Sequence, residues 1–571
     1  MNNISKIIRY FVLTIKLSKM VDVICTNCNT KKEYPIGIQL NEIARDMQLC
    51  LKQPILAALV NNKLKELNYQ VFKPKTIQFI DFTHPIGYRV YVRSLAFVLF
   101  KAIKDLYPSA SLSIEHSISK GWYCEINNSH LILDEKTINS IKNRMKEIIN
   151  ADIPFIRKEL LTTEAIELFE ANGLHDKSLL FKTRNQLYSS VYHLDNTINY
   201  FYGYLVPRTG SLNNFNILPY FDGLLLQVPK QKHPEEIEEI VIQDKMFKIF
   251  REHKKWCEIL EVPFVGSLNK AVEEKKDNEF IKISEALHEK KIAKIADNIF
   301  KERNETRIIL ISGPSSSGKT TFSLRLSIQL RVLGFKSVQI SLDNYFVNRE
   351  FTPRDENGDY DFECIEALDI EQFNKDLLAL MQGDEIEIPK FNFSTGKRFY
   401  DGTKLKISKE TLIVIEGIHG LNPVLTHLIE EKLKYRIFVS ALTQLAIDKQ
   451  NPIPTTDNRL IRRIVRDYRY RGYSALDTLK RWGSVRKGED LNIFPFQENA
   501  DTMFNSALLY ELGVLKTFAE PILRVVPENV PEYAEAVRLL KFISYFFPIS
   551  EREIPPTSIL REFLGGSSFV Y

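Results

Sequence analysis

Apolar residues follow two rhythms along this chain. Ile308, Ile309, Leu310 and Ile311 form one continuous apolar run, and Leu412 to Ile415 form another. Short unbroken runs of this kind read as strands buried on both faces. Phe322, Leu326, Leu330 and Leu333 recur every three to four residues, which predicts a helix from Thr321 to Leu333 stopped by Gly334. Ser337 to Phe346 alternates and predicts a further strand. Strand, helix and strand in this order predict a doubly wound parallel sheet over residues 306–525. Nearer the N-terminus, Val21 to Ile24 and Glu33 to Pro35 flank a turn, Leu40 to Met47 reads as a helix, and Ala57 to Leu64 reads as a strand entering a turn at Asn61 and Asn62. These define a small α/β unit over 21–81, followed by a further domain over 82–230. Residues 231–305 are rich in Lys and Glu with helical periodicity and read as a helical connector with a solvated face. Residues 526–571 read as a helical tail. The predicted class is therefore multidomain α/β.

Composition narrows the setting more than the chemistry. The 571 residues suffice for about three or four domains, and 44% hydrophobic with 26% charged residues is ordinary for a globular protein. A net charge of +5 on this length does not announce a nucleic-acid binder. The six cysteines are scattered, which suits a reducing cytoplasm; Cys25 and Cys28 form a single CxxC with no second pair and read as a turn. Residues 1–20 are an extension in which Ile7 to Ile15 is apolar, too short to span a bilayer, and followed by no cleavage signal; Met20 is an alternative start. No stretch approaches 18 apolar residues, so no membrane span is expected.

Between the first apolar run and the first helix stands Gly313-Pro314-Ser315-Ser316-Ser317-Gly318-Lys319-Thr320, which fits G-x-x-x-x-G-K-[ST]. In this strand-to-helix setting the glycines let backbone N–H groups curl round phosphates, and the helix dipole favours the negative charge. The expectation is an ATP site over Gly313 to Thr321, with Lys319 on the β- and γ-phosphates and the Thr320 hydroxyl on Mg²⁺.

Four downstream segments add to it. SVQISLDNYF places Asp343 at the C-terminal end of its strand, where ligands bind in doubly wound sheets. A carboxylate there can accept the proton of an attacking hydroxyl. DYDFECIEALD carries Glu363, IPKFNFSTGKRFYDG carries Phe391, Gly396 and Arg398, and TLIVIEGIHGL ends a strand in Glu416. Beyond them, Arg459, Arg462, Arg463 and Arg466 lie at i, i+3, i+4 and i+7 on one helical face. In this order the segments resemble the uridine kinase and phosphoribulokinase family. The resemblance implies that Asp343 is the base, that Tyr345 or Phe346 lines the acceptor pocket, and that Glu363 grips the sugar diol. It also implies that Phe391 stacks, that Arg398 is the basic partner, and that Glu416 joins Thr320 at Mg²⁺. Arg463, Arg466 and Arg471 match the lid arginines. Gly396 stands where the family has its base-reading His, and Cys364-Ile365 replaces His-Pro.

Towards the N-terminus, VNNKLKEL followed by IQFIDF resembles the TGS β-grasp domain of threonyl-tRNA synthetases. The segment from Tyr91 to Ile126 resembles the second additional domain of the same enzymes. Its metal-ligand positions fall on Arg93, Phe97, Phe201 and Leu205. None of these four side chains offers a lone pair to a metal.

The resemblances imply ATP- and Mg²⁺-dependent phosphorylation of a nucleoside 5′-hydroxyl, uridine or a relative. Two alternatives stay open: a kinase of a sugar phosphate or other small alcohol, and an RNA- or ribosome-associated regulatory ATPase. RNA contact through the N-terminal domains and assembly into homo-oligomers are further expectations.

Overall fold

The computed structural model describes residues 20–127, 131–356, 358–443 and 445–570. The expectations for Ile7 to Ile15 lie outside these. The chain divides into two compact units. The first holds the described residues up to Val241 together with Ile447–Pro452 and Val526–Phe542; the second holds Ile242–Ala446, Ile453–Val525 and the chain from Ile543 onward.

The first unit opens with strands β1 (Met20–Cys25) and β2 (Thr30–Pro35), helix α1 (Leu40–Asp46), and strands β3 (Ala57–Val60), β4 (Lys63–Lys65) and β5 (Lys75–Ile80). The sheet order is β2-β1-β5-β3-β4, with β1 and β5 parallel and the other pairs antiparallel. Alternation in β1 buries Val21, Val23 and Cys25, and α1 covers them with Leu40 and Ile43. The four residues after Cys25 turn the chain into β2. Cys25 is buried, Cys28 is exposed, and both thiols are free.

Helix α2 (Pro85–Leu106) starts on His84, whose ring accepts from the Ile86 amide, with Pro85 at the first helical position. It is buried on most of its circumference, so it runs through the interior of the unit. Strands β6 (Ser111–Ile118) and β7 (Gly121–Asn127), helix α3 (Glu135–Asn150), strand β8 (Phe155–Leu161), helices α4 (Thr162–Ala171) and α5 (His175–Lys182), and strands β9 (Tyr188–Leu194), β10 (Thr197–Asn199), β11 (Asn216–Tyr220) and β12 (Gly223–Gln227) follow. They form a four-stranded sheet, β11-β12-β7-β6, and a three-stranded one, β8-β9-β10, both antiparallel.

The second unit begins with helices α6 (Asp244–Ile259), α7 (Val265–Glu273) and α8 (Asp277–Lys301). Its sheet is built from β13 (Ile308–Ser312), β14 (Ser337–Ser341), β17 (Leu412–Glu416), β18 (Lys434–Ser440) and β19 (Thr502–Asn505). All pairs are parallel, in the order β14-β17-β13-β18-β19. The apolar runs explain the order: every residue of β13 is buried, as a central strand covered on both faces requires. Helix α9 (Lys319–Val332) follows β13 and buries Phe322, Leu326 and Leu330. Between β14 and β17 come α10 (Ile370–Gln382) and the hairpin β15 (Lys390–Asn392) and β16 (Lys397–Phe399). After β18 come α11 (Thr455–Tyr470) and α12 (Ala475–Asn492); after β19 come α13 (Glu511–Arg524), α14 (Tyr533–Ile543) and the single turn α15 (Arg561–Leu564). Residues 526–542, most of α14 among them, belong to the first unit, and Ala534 packs there on β3 and β5.

The strand expected to reach Phe346 stops at Ser341, and Leu342–Tyr345 form a 3₁₀ turn. The pairing partner accounts for the break. Ser341 lies opposite Glu416, the last residue of β17, so no ladder continues beyond it. Asp343 therefore sits on a turn at the sheet's C-terminal edge.

Candidate active site of the second unit

The loop from Gly313 to Thr320 leaves β13 and enters α9. A Cβ at Gly313 would lie 1.9 Å from the carbonyl oxygen of Val439, so only glycine fits there. Gly318, the N-cap of α9, has φ +83°, and Ser316 is also left-handed at φ +60°. Alternation of handedness turns successive N–H groups to one side, the geometry of an anion nest. The hydroxyls of Ser316 and Ser317 are buried without a hydrogen-bond partner. Buried polar groups normally find one, so this loop fits a ligand that brings acceptors, as a polyphosphate does. Lys319 folds back on the loop, its Nζ donating to the Pro314 carbonyl at 3.2 Å.

The acidic side chains converge on the same edge. Adjacent strands β14 and β17 end side by side, and the Ser341 hydroxyl donates to Glu416 at 2.9 Å. Burial, and then the charge of Asp343, push the Glu416 carboxyl up to about 7, with Lys319 pulling the other way. Burial lowers the Lys319 ammonium, opposed by Glu416, Asp343 and Glu562. These mutual effects place Lys319, Asp343 and Glu416 in one electrostatic cluster. Glu363 joins it: burial and Glu489 push its carboxyl up to about 7, with Arg463 and Lys319 opposing. The Cβ of Glu363 is 2.2 Å from where a Cβ on Gly488 of α12 would be, so that glycine makes the room for it.

The arginine face of α11 divides in two. Arg459 and Arg462 are buried braces: they pair with Glu489 and Glu511, and they donate to the carbonyls of Ser315 and Ser316. Arg463 and Arg466 are only partly buried. Arg463 donates to the Ser315 hydroxyl at 2.9 Å, and both share Asp467 as counter-ion. Arg471, just past the helix, is lowered to about 10, first by Arg466 and then by burial, and Asp467 and Asp343 oppose the shift. The three arginines and Asp343 thus share one local field.

On the acceptor side the structure separates Tyr345 from Phe346. Tyr345 is buried and donates to Asp376 at 3.0 Å, so it belongs to the core rather than to a pocket wall. Phe346, Phe391 and Phe393 form a ring cluster with centroids 5.2–6.3 Å apart. Arg471 lies 5.6 Å from the Phe393 ring and so links this cluster to Asp343. Arg398 is engaged by Asp369 at 2.9 Å. At Gly396, φ is +69°, and a Cβ would meet Nε of Arg349 at 2.6 Å. Arg349 occupies the space beside the residue that lacks a side chain.

Residues 308–509 match the Phosphoribulokinase / Uridine kinase family. The second unit therefore has a P-loop kinase fold, with its phosphate loop, acidic strand ends and arginine helix all inside the matched span. Solved structures that the chain resembles include a putative fructose transport system kinase from Silicibacter sp. TM1040, at 17% identity and TM-score 0.27 over 37% of this chain and 98% of that one. Another is a possible uridine kinase from Bacillus stearothermophilus, at 16% identity and TM-score 0.24 over 38% and 97%. The N-terminal region matches threonine–tRNA ligases instead. That of Syntrophomonas wolfei is 32% identical over 190 residues, 33% of this chain and 30% of the ligase, and that of Desulforamulus reducens is 29% identical over 188 residues, 33% and 29%. The chain thus spans about 30% of the length of these curated relatives.

In the ligase-like region, the positions expected to lack metal ligands are occupied as follows. Phe97 and Phe201 are buried with rings 5.4 Å apart, Leu205 is buried, and Arg93 donates to the Tyr204 carbonyl at 2.7 Å. Among the described residues one group can bring three ligand atoms together, the exposed His233, Glu235 and Glu236, none of which belongs to a motif noted above. No helix among the described residues is long and apolar enough to cross a membrane.

Three residues of the kinase-like site escaped the sequence reading. Glu489 accepts from the Ser315 amide at 3.0 Å. Glu562 on α15 accepts from the Thr321 amide at 3.2 Å and its hydroxyl at 2.8 Å. Arg349 stands beside Gly396. Arg349 and Glu562 come from segments without a motif, and Glu562 lies 241 residues from its partner. Only tertiary structure brings them in.

Proposed function

We propose that this chain transfers the γ-phosphoryl group of ATP to the 5′-hydroxyl of a nucleoside, uridine or a relative. The observation that carries the reading is the convergence of Lys319, Asp343 and Glu416 at adjacent strand ends beside the phosphate loop. A hydrolytic switch needs no carboxylate for an acceptor's proton, and the position of Asp343 at the sheet's C-terminal edge supports the transfer reading.

The loop amides and Lys319 bind the phosphates. The Thr320 hydroxyl and Glu416 would hold Mg²⁺, which when bound neutralises charge on the phosphoryl oxygens. Glu363 and the Phe346–Phe391–Phe393 cluster position the acceptor. Asp343 accepts the hydroxyl proton as the O–P bond forms and the bond to the ADP oxygen breaks. Arg463, Arg466 and Arg471 are fixed cations for the charge that spreads over the transferring group. Their shared counter-ion Asp467 keeps them in place before the reaction.

One observation favours a second acceptor class. Arg349 fills the position next to Gly396 with a guanidinium, and a cation there recognises a phosphate or carboxylate on the acceptor. A sugar phosphate satisfies that chemistry. ADP release measured with ATP, Mg²⁺ and a panel of nucleosides and sugar phosphates decides between them. Stimulation by a nucleoside supports the first reading and stimulation by a sugar phosphate the second. Release that no acceptor alters contradicts both and supports the regulatory ATPase.

A further inference from the structure

The last helical turn of the second unit lies on the phosphate loop. In α15, Phe563 and Leu564 are buried, as are Ile559 and Leu560 just before it, while Glu562 is half-buried. Three contacts set this segment against the loop and the arginine helix. A Cβ on Gly318 would lie 2.4 Å from Cγ2 of Ile559, so that methyl stands against the backbone of the loop's last glycine. Glu562 accepts from the Thr321 amide at 3.2 Å and from its hydroxyl at 2.8 Å. The Phe563 ring lies 5.1 Å from the guanidinium of Arg462, which itself donates to the Ser316 carbonyl.

Each contact uses a group that a nucleotide needs. Thr321 is the third residue of α9, so its N–H has no acceptor within the helix and suits an incoming phosphate. The Glu562 carboxylate already holds that donor. It lies within reach of the site's charges: burial lowers the Lys319 ammonium, and Glu562 is among the carboxylates that oppose the shift. A guanidinium stacks on a nucleobase as readily as on a phenyl ring. An anion on Thr321 and an aromatic plane on Arg462 therefore come from adjacent residues, side by side. The segment is also marked off at both ends. Pro555 and Pro556 precede it, and Gly565 (φ +86°) and Gly566 (φ +71°) follow, left-handed positions that suit glycine. Ser558 donates to Glu285, and Arg561 to the carbonyls of Glu551 and Ile554, which hold it docked.

We propose, resting on the reading that the loop binds ATP, that residues 559–563 are an intramolecular substitute for the nucleotide. Glu562 takes the place of a phosphate on Thr321 and Phe563 that of the base on Arg462, so ATP enters when the segment leaves. The docked segment and ATP then compete for one set of groups. The apparent affinity for ATP is the intrinsic affinity reduced by the fraction of chains in which the segment is released. Whatever stabilises the released segment raises the affinity for ATP by the same factor that ATP favours its release.

Two measurements on the full-length chain test this. Equilibrium dialysis with radiolabelled ATP and Mg²⁺ gives the Kd of wild type, Glu562→Gln, Phe563→Leu and the double variant. Hydrogen exchange of the peptide spanning residues 557–566 is followed with and without ATP. The expected result is a Kd lowered severalfold in Glu562→Gln and at least tenfold in the double variant. ATP should also speed exchange across 557–566 in the wild type, an effect that Lys319→Ala removes. Should Phe563→Leu fail to fold, Glu562→Gln and the exchange data still decide. ATP that binds wild type and Glu562→Gln equally, or that binds while 557–566 stays as protected as before, marks the segment as a fixed structural cap and overturns the proposal. ATP that binds none of the proteins overturns the nucleotide reading of the loop, and the proposal with it.

Discussion

Replacing Glu363 by Gln should make the protein more stable at pH 8 and leave it unchanged at pH 5. The carboxyl is pushed from an ordinary value of 4.5 up to about 7, mainly by burial and by Glu489. One of its oxygens is buried without a hydrogen-bond partner. The folded state therefore keeps a proton that the unfolded state releases, and stability falls as pH rises from 4.5 through 7. The full shift corresponds to about 3.4 kcal/mol at 1.36 kcal/mol per pH unit. Glu363 is only partly buried by surface area, so solvent screening reduces this to ~1–2 kcal/mol. Gln is neutral throughout, so it retains at pH 8 the stability that the wild type has only in acid. Melting curves at pH 5 and pH 8 read the difference. A rise of a few degrees confined to pH 8 is expected, since about 1 kcal/mol moves a domain of this size by a few degrees. A difference equal at both pH values, or a less stable variant at pH 8, refutes the argument that ionising Glu363 costs the fold. The acceptor KM should rise in the same variant, because the group that grips hydroxyls is altered.

Gly488→Ala drives a methyl into Glu363 and should cost ~1–3 kcal/mol by overpacking; melting curves and an acceptor KM that rises while ATP affinity holds would bear this out. Glu562→Gln should tighten ATP binding severalfold, because the carboxylate holds the Thr321 donors that a phosphate needs and repels the phosphate as well. Titration with a fluorescent ATP analogue checks it, and weaker binding in the variant would contradict the assignment. Arg349→Ala should lower kcat/KM for a phosphorylated acceptor by at least tenfold and leave a bare nucleoside unaffected, read in the same acceptor panel.

Local signals account for what could be read in the chain. The P-loop carries its own geometry, because Gly313 and Gly318 are needed where backbone approaches backbone or φ is positive. Unbroken apolar runs placed β13 and β17 in the interior of a parallel sheet, and Glu416 followed as the first polar residue at the strand end. The limit of β14 was less legible. Alternation continues through Asp343, whereas the ladder stops where β17 ends, and that stop depends on a residue far away in sequence. The arginine spacing on α11 placed four side chains on one face but did not distinguish the fully buried braces Arg459 and Arg462 from the partly buried Arg463 and Arg466. That distinction rests on Glu489 and Glu511, which arrive from other helices. Tyr345 and Phe346 are neighbours, and only the packing of Asp376 against one of them shows which is core. The ligase-like region followed the same rule, since missing lone pairs at Phe97, Phe201 and Leu205 were evident in the chain, whereas the seat of Arg93 against the Tyr204 carbonyl depends on a residue 111 positions away.

The most direct test of the central claim is single-turnover phosphoryl transfer from labelled ATP to the stimulating acceptor, comparing wild type with Asp343→Asn. If Asp343 takes the acceptor's proton, the variant binds ATP normally and loses transfer by 10²- to 10⁴-fold, the range for a positioned base. Transfer that survives at the wild-type rate, or ADP release that proceeds without any acceptor in both proteins, would contradict the kinase assignment.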